Sequence, residues 1–147
     1  MCILLNPNSA LNLDIVQTDF QGRILILKLK VFEENFFVLN AYAPNDYREQ
    51  NEFIKNQIES LMRKTGVPRL IIAGDWNCTL NKFDKIGENT NCRDAVVNLM
   101  NELNLLDIYR NLHLKTRSFT YESKAVNLKS RRLYPCLSPD PCGCSSF

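Results

Sequence analysis

Apolar and polar positions alternate with a period of two over residues 23–31: Ile24, Ile26 and Lys28 fall on one side, and Leu25, Leu27, Leu29 and Val31 on the other. That period predicts a strand. Residues 13–20 alternate less evenly, and Gly22 stands between the two segments, so they are expected to pair as a hairpin. Glu33, Glu34 and Asn35 read as the next turn, leading into the apolar run from Phe36 to Ala43. Pro44 closes that run because it has no N–H to give to a ladder. Tight links of this kind make a meander of antiparallel strands. A further short strand is expected over residues 2–5, followed by a turn at Asn6, Pro7 and Asn8.

At residue 46 the period lengthens to that of a helix, expected over about 46–64. Asp46 and Glu49 have the spacing of a capping box. Tyr47, Ile54, Ile58 and Leu61 form its apolar stripe, supplemented by Phe53 and Met62, while Gly66 and Pro68 end it. Four apolar residues then run together, Leu70-Ile71-Ile72-Ala73, the pattern of a strand buried on both faces, and Gly74 breaks it. Strand, helix, strand in this order predicts a crossover with two parallel neighbours, although other α/β sandwiches also produce it. Residues 81–92 read as polar loop and 93–104 as a second helix with Val96, Val97, Met100 and Leu103 on one face. Residues 105–112 read as a helical turn or short helix, and 118–122 as a strand. After Ser130 come three prolines, three cysteines and no period, so that segment is expected to be poorly ordered or extended.

With 147 residues the chain is one domain's worth, long enough to bury a single core. Hydrophobic content of 45% and charged content of 23% are those of an ordinary soluble protein. No apolar stretch reaches the length of a membrane span, and the first residues lack the basic flank of a signal peptide, which together point to an intracellular protein, nuclear or cytoplasmic. Cys2, Cys78 and Cys92 are scattered and read as reduced thiols. Cys142 and Cys144 lack the spacing of a zinc site, and the single histidine, His113, lies far upstream. The net charge of +2 conceals an asymmetry, because from Ile108 onward Arg110, Lys115, Arg117, Lys124, Lys129, Arg131 and Arg132 face only Glu122 and Asp140. Such a basic stretch meets phosphates in some proteins and is a solvated face in others.

The candidate chemistry lies where two of the expected strands end. Asp75 and Asn77 follow Gly74 two residues apart, so an extended backbone sends both side chains to one side. A carboxylate beside a carboxamide, at the carboxyl end of a strand in an α/β sheet, suits hydrolysis of a phosphate ester. An Asx-capped turn is the plainer reading of the same residues. Asn40 and Tyr42 share a face of the preceding strand, and in a crossover Tyr42, Asp75 and Asn77 converge. For Tyr42 the plainer reading is a packed aromatic with its hydroxyl satisfied. Asp107 and Arg110, three apart on a helical turn, are expected to form an ion pair.

These stretches, taken in order, resemble a known family. Asn40-Ala41-Tyr42-Ala43-Pro44-Asn45 and Gly74-Asp75-Trp76-Asn77 are similar to motifs of the endonuclease/exonuclease/phosphatase superfamily, and above all to the apurinic/apyrimidinic-type endonuclease domain of non-LTR retrotransposons. Thr79-Leu80-Asn81-Lys82-Phe83-Asp84, the segment from Leu106 to His113, and Ser118-Phe119-Thr120-Tyr121 resemble three further family stretches, in the family order. The resemblance implies an α/β, DNase-I-like fold: part of a four-layer sandwich, two mixed sheets flanked by helices, over residues 1–131, with 132–147 as a non-family tail. It implies a Mg²⁺-dependent endonuclease acting on DNA, with no small-molecule cofactor and no membrane partner. Asp75 would orient and deprotonate water, Asn77 would bond a phosphate oxygen, and Tyr42 would stabilise the transition state or leaving group. Asn45 and Thr120 would contact substrate.

The chain departs from the family pattern in three places. The strands carrying an Asn and the metal-binding Glu would precede Met1, so no metal ligand is assigned. Where the family has Ser-Arg-Ile-Asp, this chain has Ser130-Arg131-Arg132-Leu133. The later Asp-His pair is also missing, and the position of His113 does not match it. The expectation is a remnant of the endonuclease with little or no activity. The alternatives are a phosphoinositide- or sphingolipid-type phosphatase of the same superfamily, and a non-catalytic remnant that holds nucleic acid.

Overall fold

The computed structural model describes residues 3–4, 6, 12–19, 21–60, 63, 69–86, 93–123, 128–130 and 136–137. Strand β1 (Asn12–Thr18) pairs antiparallel with β2 (Ile24–Val31) across a turn in which the Gly22 N–H donates to the Asp19 carbonyl at 3.1 Å. The uneven alternation of β1 has a cause, since its register shifts between Ile15 and Gln17. A bulge of this kind inserts a residue and breaks the period of two. β2 then pairs antiparallel with β3 (Glu34–Tyr42), as expected, but Val31 and Glu34 are already partners. The turn is therefore Phe32 and Glu33, with Phe32 at φ 55, and Glu34 and Asn35 belong to the strand.

The expected crossover is present. Asp46 caps helix α1 (Tyr47–Glu52), its Oδ1 accepting from the N–H groups of Arg48 at 2.9 Å and Glu49 at 3.1 Å. The helix continues as a π-helix, Phe53–Glu59, wider than the single α-helix that the period predicts. β4 (Leu70–Asp75) follows and runs parallel to β3, Tyr42 opposite Asp75. The helix end at Gly66 and Pro68, and the stripe residues Leu61 and Met62, lie outside the described residues.

Burial corrects the expected stripe. Tyr47, at the first helical position, is 53% exposed, whereas Gln50 is buried with Phe53, Ile54 and Ile58. β4 is likewise not fully buried on both faces: Leu70 and Ile72 are buried, Ile71 and Ala73 only partly. The core lies on one face of the sheet, where Ile24, Ile26, Leu39, Ala41, Leu70 and Ile72 meet Phe53, Ile54 and Ile58. Helix α2 (Arg93–Glu102) adds Ala95, Val96 and Leu99 to that core, with Met100 and Leu103 partly buried against it. Leu99 thus takes a place in the face that the period had assigned to Val97. Tyr42, Asn40, Ala73 and Asp75 alternate with the core residues and so lie on the opposite face of the sheet.

Shorter elements complete the fold and bring most of the corrections. Residues 81–92 are not all loop: Lys82–Asp84 is a 3₁₀ turn and β5 is Lys85–Ile86, with 87–92 outside the described residues. Before helix α3 (Ile108–Leu112), residues Leu106–Asp107 form strand β6 rather than helix. β7 is Tyr121–Ser123, so Ser118, Phe119 and Thr120 precede the strand expected to include them. β8 is Leu128–Ser130, and β5-β8-β7 form a three-stranded antiparallel sheet. Ile3 and Leu4 lie in no strand, and Leu4 is 91% exposed.

The segment after Ser130 holds a larger surprise. Cys136–Leu137 is strand β9, seated in the main sheet between β4 and β6 to give the order β1-β2-β3-β4-β9-β6. An absence of regular pairing therefore does not hold for these two residues. Pro135 cannot donate to a ladder, but the two residues after it can, and they satisfy backbone groups that β4 and β6 would otherwise leave at open edges. The rest of 131–147 lies outside the described residues. Among the described residues no helix is long and apolar enough to cross a membrane.

Candidate active site

The site is built by one glycine, one Asx turn and one side-chain tether between strand ends. Gly74 sits at φ 129, opposite Ala41 in the parallel register. A Cβ there would lie 2.7 Å from the Ala41 nitrogen and closer still to its carbonyl oxygen, so only glycine lets β4 approach β3 at this point. That approach sets Asp75 beside Tyr42, and the ladder runs one residue further, with the Ala43 N–H donating to the Asp75 carbonyl at 2.9 Å.

Beyond Asp75 the chain turns sharply. The Asn77 backbone N–H donates to Asp75 Oδ1 at 3.0 Å, an Asx turn, and Asn77 itself stands at φ 46. Its side-chain Nδ2 reaches back to the Ala43 carbonyl at 2.8 Å. The carboxylate and the carboxamide are therefore each fixed by a bond to backbone, and the ends of β3 and β4 are tied together through them. The plain Asx turn is real, and together with the Ala43 tether it fixes the orientation of both side chains.

Trp76, Cys78 and Thr79 are buried, at 2%, 1% and 4% exposure. A buried loop must satisfy its backbone polar groups internally. Gln50 does so for Trp76: its Nε2 donates to the Trp76 carbonyl from the buried face of the helix. Sequence reasoning did not find Gln50. The signal was a polar residue between Tyr47 and Ile54 in an apolar stripe, a position that marks either a flaw in the stripe or a buried tether.

Tyr42 is 43% exposed, which does not fit a packed core aromatic, and its Cα pairs with that of Asp75 at the strand end. Asn45 is exposed and lies just past Pro44 on the same strand end. Thr120 is exposed as well, but it precedes β7 of the second sheet and so belongs to a different element from the Tyr42, Asp75 and Asn77 trio.

The expected ion pair lies elsewhere. Asp107 caps α3, accepting the Arg110 backbone N–H at 3.0 Å, while the Arg110 guanidinium pairs with the fully buried Asp84. Arg110 Nη1 also donates to the carbonyls of His113 at 2.8 Å, Leu114 at 3.2 Å and Thr116 at 3.1 Å. One arginine thus shapes the loop leading to Thr120, its guanidinium engaged within the protein. Lys115 and Arg117 remain exposed. His113 ends α3 on the surface, its ring 4.8 Å from that of Tyr109.

No family model matches the chain. A Xenopus laevis protein described as the transposon TX1 uncharacterized 149 kDa protein is 28% identical over 102 residues, which cover 68% of this chain and 8% of that protein. The endonuclease domain of TRAS1, a telomere-specific non-LTR retrotransposon, superposes with a TM-score of 0.65 at 19% identity over 90% of this chain and 57% of that one. The 3' phosphatase NExo from Neisseria, solved with a product DNA hairpin, gives 0.66 at 17% identity over 88% of this chain and 58% of that one. The catalytic domain of Xenopus laevis APE2 gives 0.59 at 16% identity over 80% of this chain and 46% of that one. The fold is therefore α/β and DNase-I-like, and the resemblance to the endonuclease/exonuclease/phosphatase superfamily holds at the level of the fold. The chain spans 46% to 58% of the length of these three structures.

Proposed function

We propose that the strand end holding Tyr42, Asp75 and Asn77 is the phosphate-facing part of a DNA phosphodiesterase site, of the kind that nicks target DNA for a retrotransposon. The observation that carries this reading is the parallel register that sets Tyr42 opposite Asp75, with Asn77 locked across the two strand ends by its bond to Ala43. In this reading Asp75 receives the proton of an attacking water. Asn77 donates to a phosphate oxygen from a side chain already oriented, which avoids reorganisation at the moment of reaction. The exposed Tyr42 hydroxyl faces the developing charge on the phosphate or leaving oxygen. Asn45 and Thr120 contact the sugar-phosphate chain on either side, and Lys115 and Arg117 supply salt-sensitive attraction.

Mg²⁺, which the resemblance implies, does not fit the donors at this strand end. The trio offers one carboxylate, and among the described residues no three His, Cys, Asp or Glu side chains gather. Mg²⁺ sites use few protein carboxylates and depend on each. A base and an oriented amide without the metal fall well short of phosphodiester hydrolysis, since a positioned base contributes only about 10² to 10⁴-fold. We therefore infer that these 147 residues by themselves bind DNA without cleaving it. Incubated with supercoiled plasmid and Mg²⁺, the purified chain is expected to nick no faster than its Asp75→Ala variant. Mg²⁺-dependent nicking that disappears in Asp75→Ala would overturn the inactivity and establish the site.

A further inference from the structure

Arg23 directly precedes β2, at the same end of the sheet as the Tyr42, Asp75 and Asn77 trio, and its carbonyl accepts the Tyr42 N–H at 2.9 Å. Its guanidinium Nη1 is buried and has no hydrogen-bond partner among the described residues. The Gln57 side-chain Oε1 is in the same condition. Both line one cleft of about 450 Å³, walled by Pro44 and Phe53 and flanked by Glu49 and Glu52. That volume falls within the roughly 300–1,000 Å³ typical of small-molecule sites. The helix that forms one wall is a π-helix over Phe53–Glu59, a winding that recurs at functional sites.

A buried donor and a buried acceptor left unpaired in one cleft each carry a desolvation penalty that a complementary ligand removes. The chemistry narrows that ligand. One guanidinium against two carboxylates leaves the cleft net negative, which disfavours an anion, while the buried guanidinium disfavours a cation. Arg23 requires an acceptor, Gln57 Oε1 requires an N–H, and the carboxylates of Glu49 and Glu52 favour a second N–H beside it.

We propose that this cleft binds an unpaired guanine. The Watson–Crick edge of guanine presents a carbonyl O6, N1–H and the N2 amine in line, matching an arginine, an amide oxygen and a carboxylate. Adenine lacks the second adjacent N–H, and cytosine and thymine place a carbonyl where the carboxylates stand. The role of the cleft on DNA rests on the phosphate reading of the neighbouring strand end; the base preference itself does not.

The test is titration of the ¹⁵N-labelled full chain with GMP, AMP, CMP and UMP, which share a phosphate and differ in base. GMP is expected to bind about tenfold more tightly than AMP, with shifts at Arg23, Gln57 and their neighbours. Arg23→Met is expected to reduce GMP binding to the level of the other nucleotides while the protein melts as before. If that variant does not fold, Gln57→Met is read in the same way. Equal affinity for the four nucleotides, or a GMP preference that survives both substitutions, overturns the proposal. A DNA hairpin with a thymine-only loop separates the two readings. Guanine preference without hairpin binding leaves the cleft standing and sinks the phosphate site, and hairpin binding without guanine preference does the reverse.

Discussion

Gly74→Ala is expected to destabilise the protein by about 3–5 kcal/mol, from left-handed backbone strain of roughly 1–3 kcal/mol and overpacking of similar size. The added Cβ would meet the Ala41 backbone, with its nitrogen at 2.7 Å and its carbonyl oxygen nearer still, and a ladder between two buried strands cannot give way as a flexible side chain would. Because domains of this size are held by only about 5–15 kcal/mol, the substitution removes a large part of the whole. Gly22 is the natural control. It also has positive φ, at 67, but a Cβ there meets nothing within 4 Å, so Gly22→Ala is expected to lower stability by only about 1 kcal/mol. Urea denaturation of the two variants measures the difference through their midpoints. Equal midpoints would mean that the two strand ends do not approach as closely as the site requires.

Arg110→Met should be nearly as damaging, by about 3–5 kcal/mol, because it leaves the Asp84 carboxylate buried without the Arg110 charge. Asp84 has 0% exposure and the Arg110 side chain 13%, so neither solvent nor salt can replace the lost interaction. The same substitution frees the carbonyls of His113, Leu114 and Thr116 from Nη1, and faster amide exchange is expected over residues 113–120. Asp84→Leu combined with Arg110→Met removes both charges and should recover much of the loss. A double-mutant cycle by chemical denaturation reads the coupling directly. A single Arg110→Met variant within about 1 kcal/mol of the parent would show that the pair is not desolvated.

Much of the main sheet was legible in the sequence because its elements carry their own period. Residues 23–31 alternate cleanly and became β2; the helix after Asp46 and the apolar run into Gly74 announced the parallel crossover. The meeting of Tyr42 and Asp75 was legible for the same reason, since a crossover sets neighbouring strand ends together; Asn77 was expected on an extended backbone beside Asp75, but it stands at φ 46 after an Asx turn and reaches Ala43 instead. Features carried by long-range pairing were not legible. Arg110 and Asp84 are 26 residues apart, and nothing local in either distinguishes that pair from Arg110 with Asp107. The two-residue strands β6 and β9 are too short to hold any period, and the proline before Cys136 pointed away from pairing. Gln50 and Tyr47 exchanged their expected burial because the first helical residue lies at the rim while the turn behind it covers Trp76.

The central claim is that a phosphate sits against Asp75 and Asn77, and removing a charge at one position and adding one at the other tests it most directly. Affinity for a fluorescent DNA hairpin is measured by anisotropy at low salt in the presence of EDTA, so that only the protein's own charges act. Asp75→Asn keeps the acceptor for the Asn77 N–H but removes a negative charge facing the phosphate, and is expected to tighten binding about fivefold, on the order of 1 kcal/mol after screening. Asn77→Asp adds a charge and is expected to weaken binding by a similar factor of about five. Opposite shifts of this kind support the site; affinities that stay the same in both variants, with the fold intact, would contradict it.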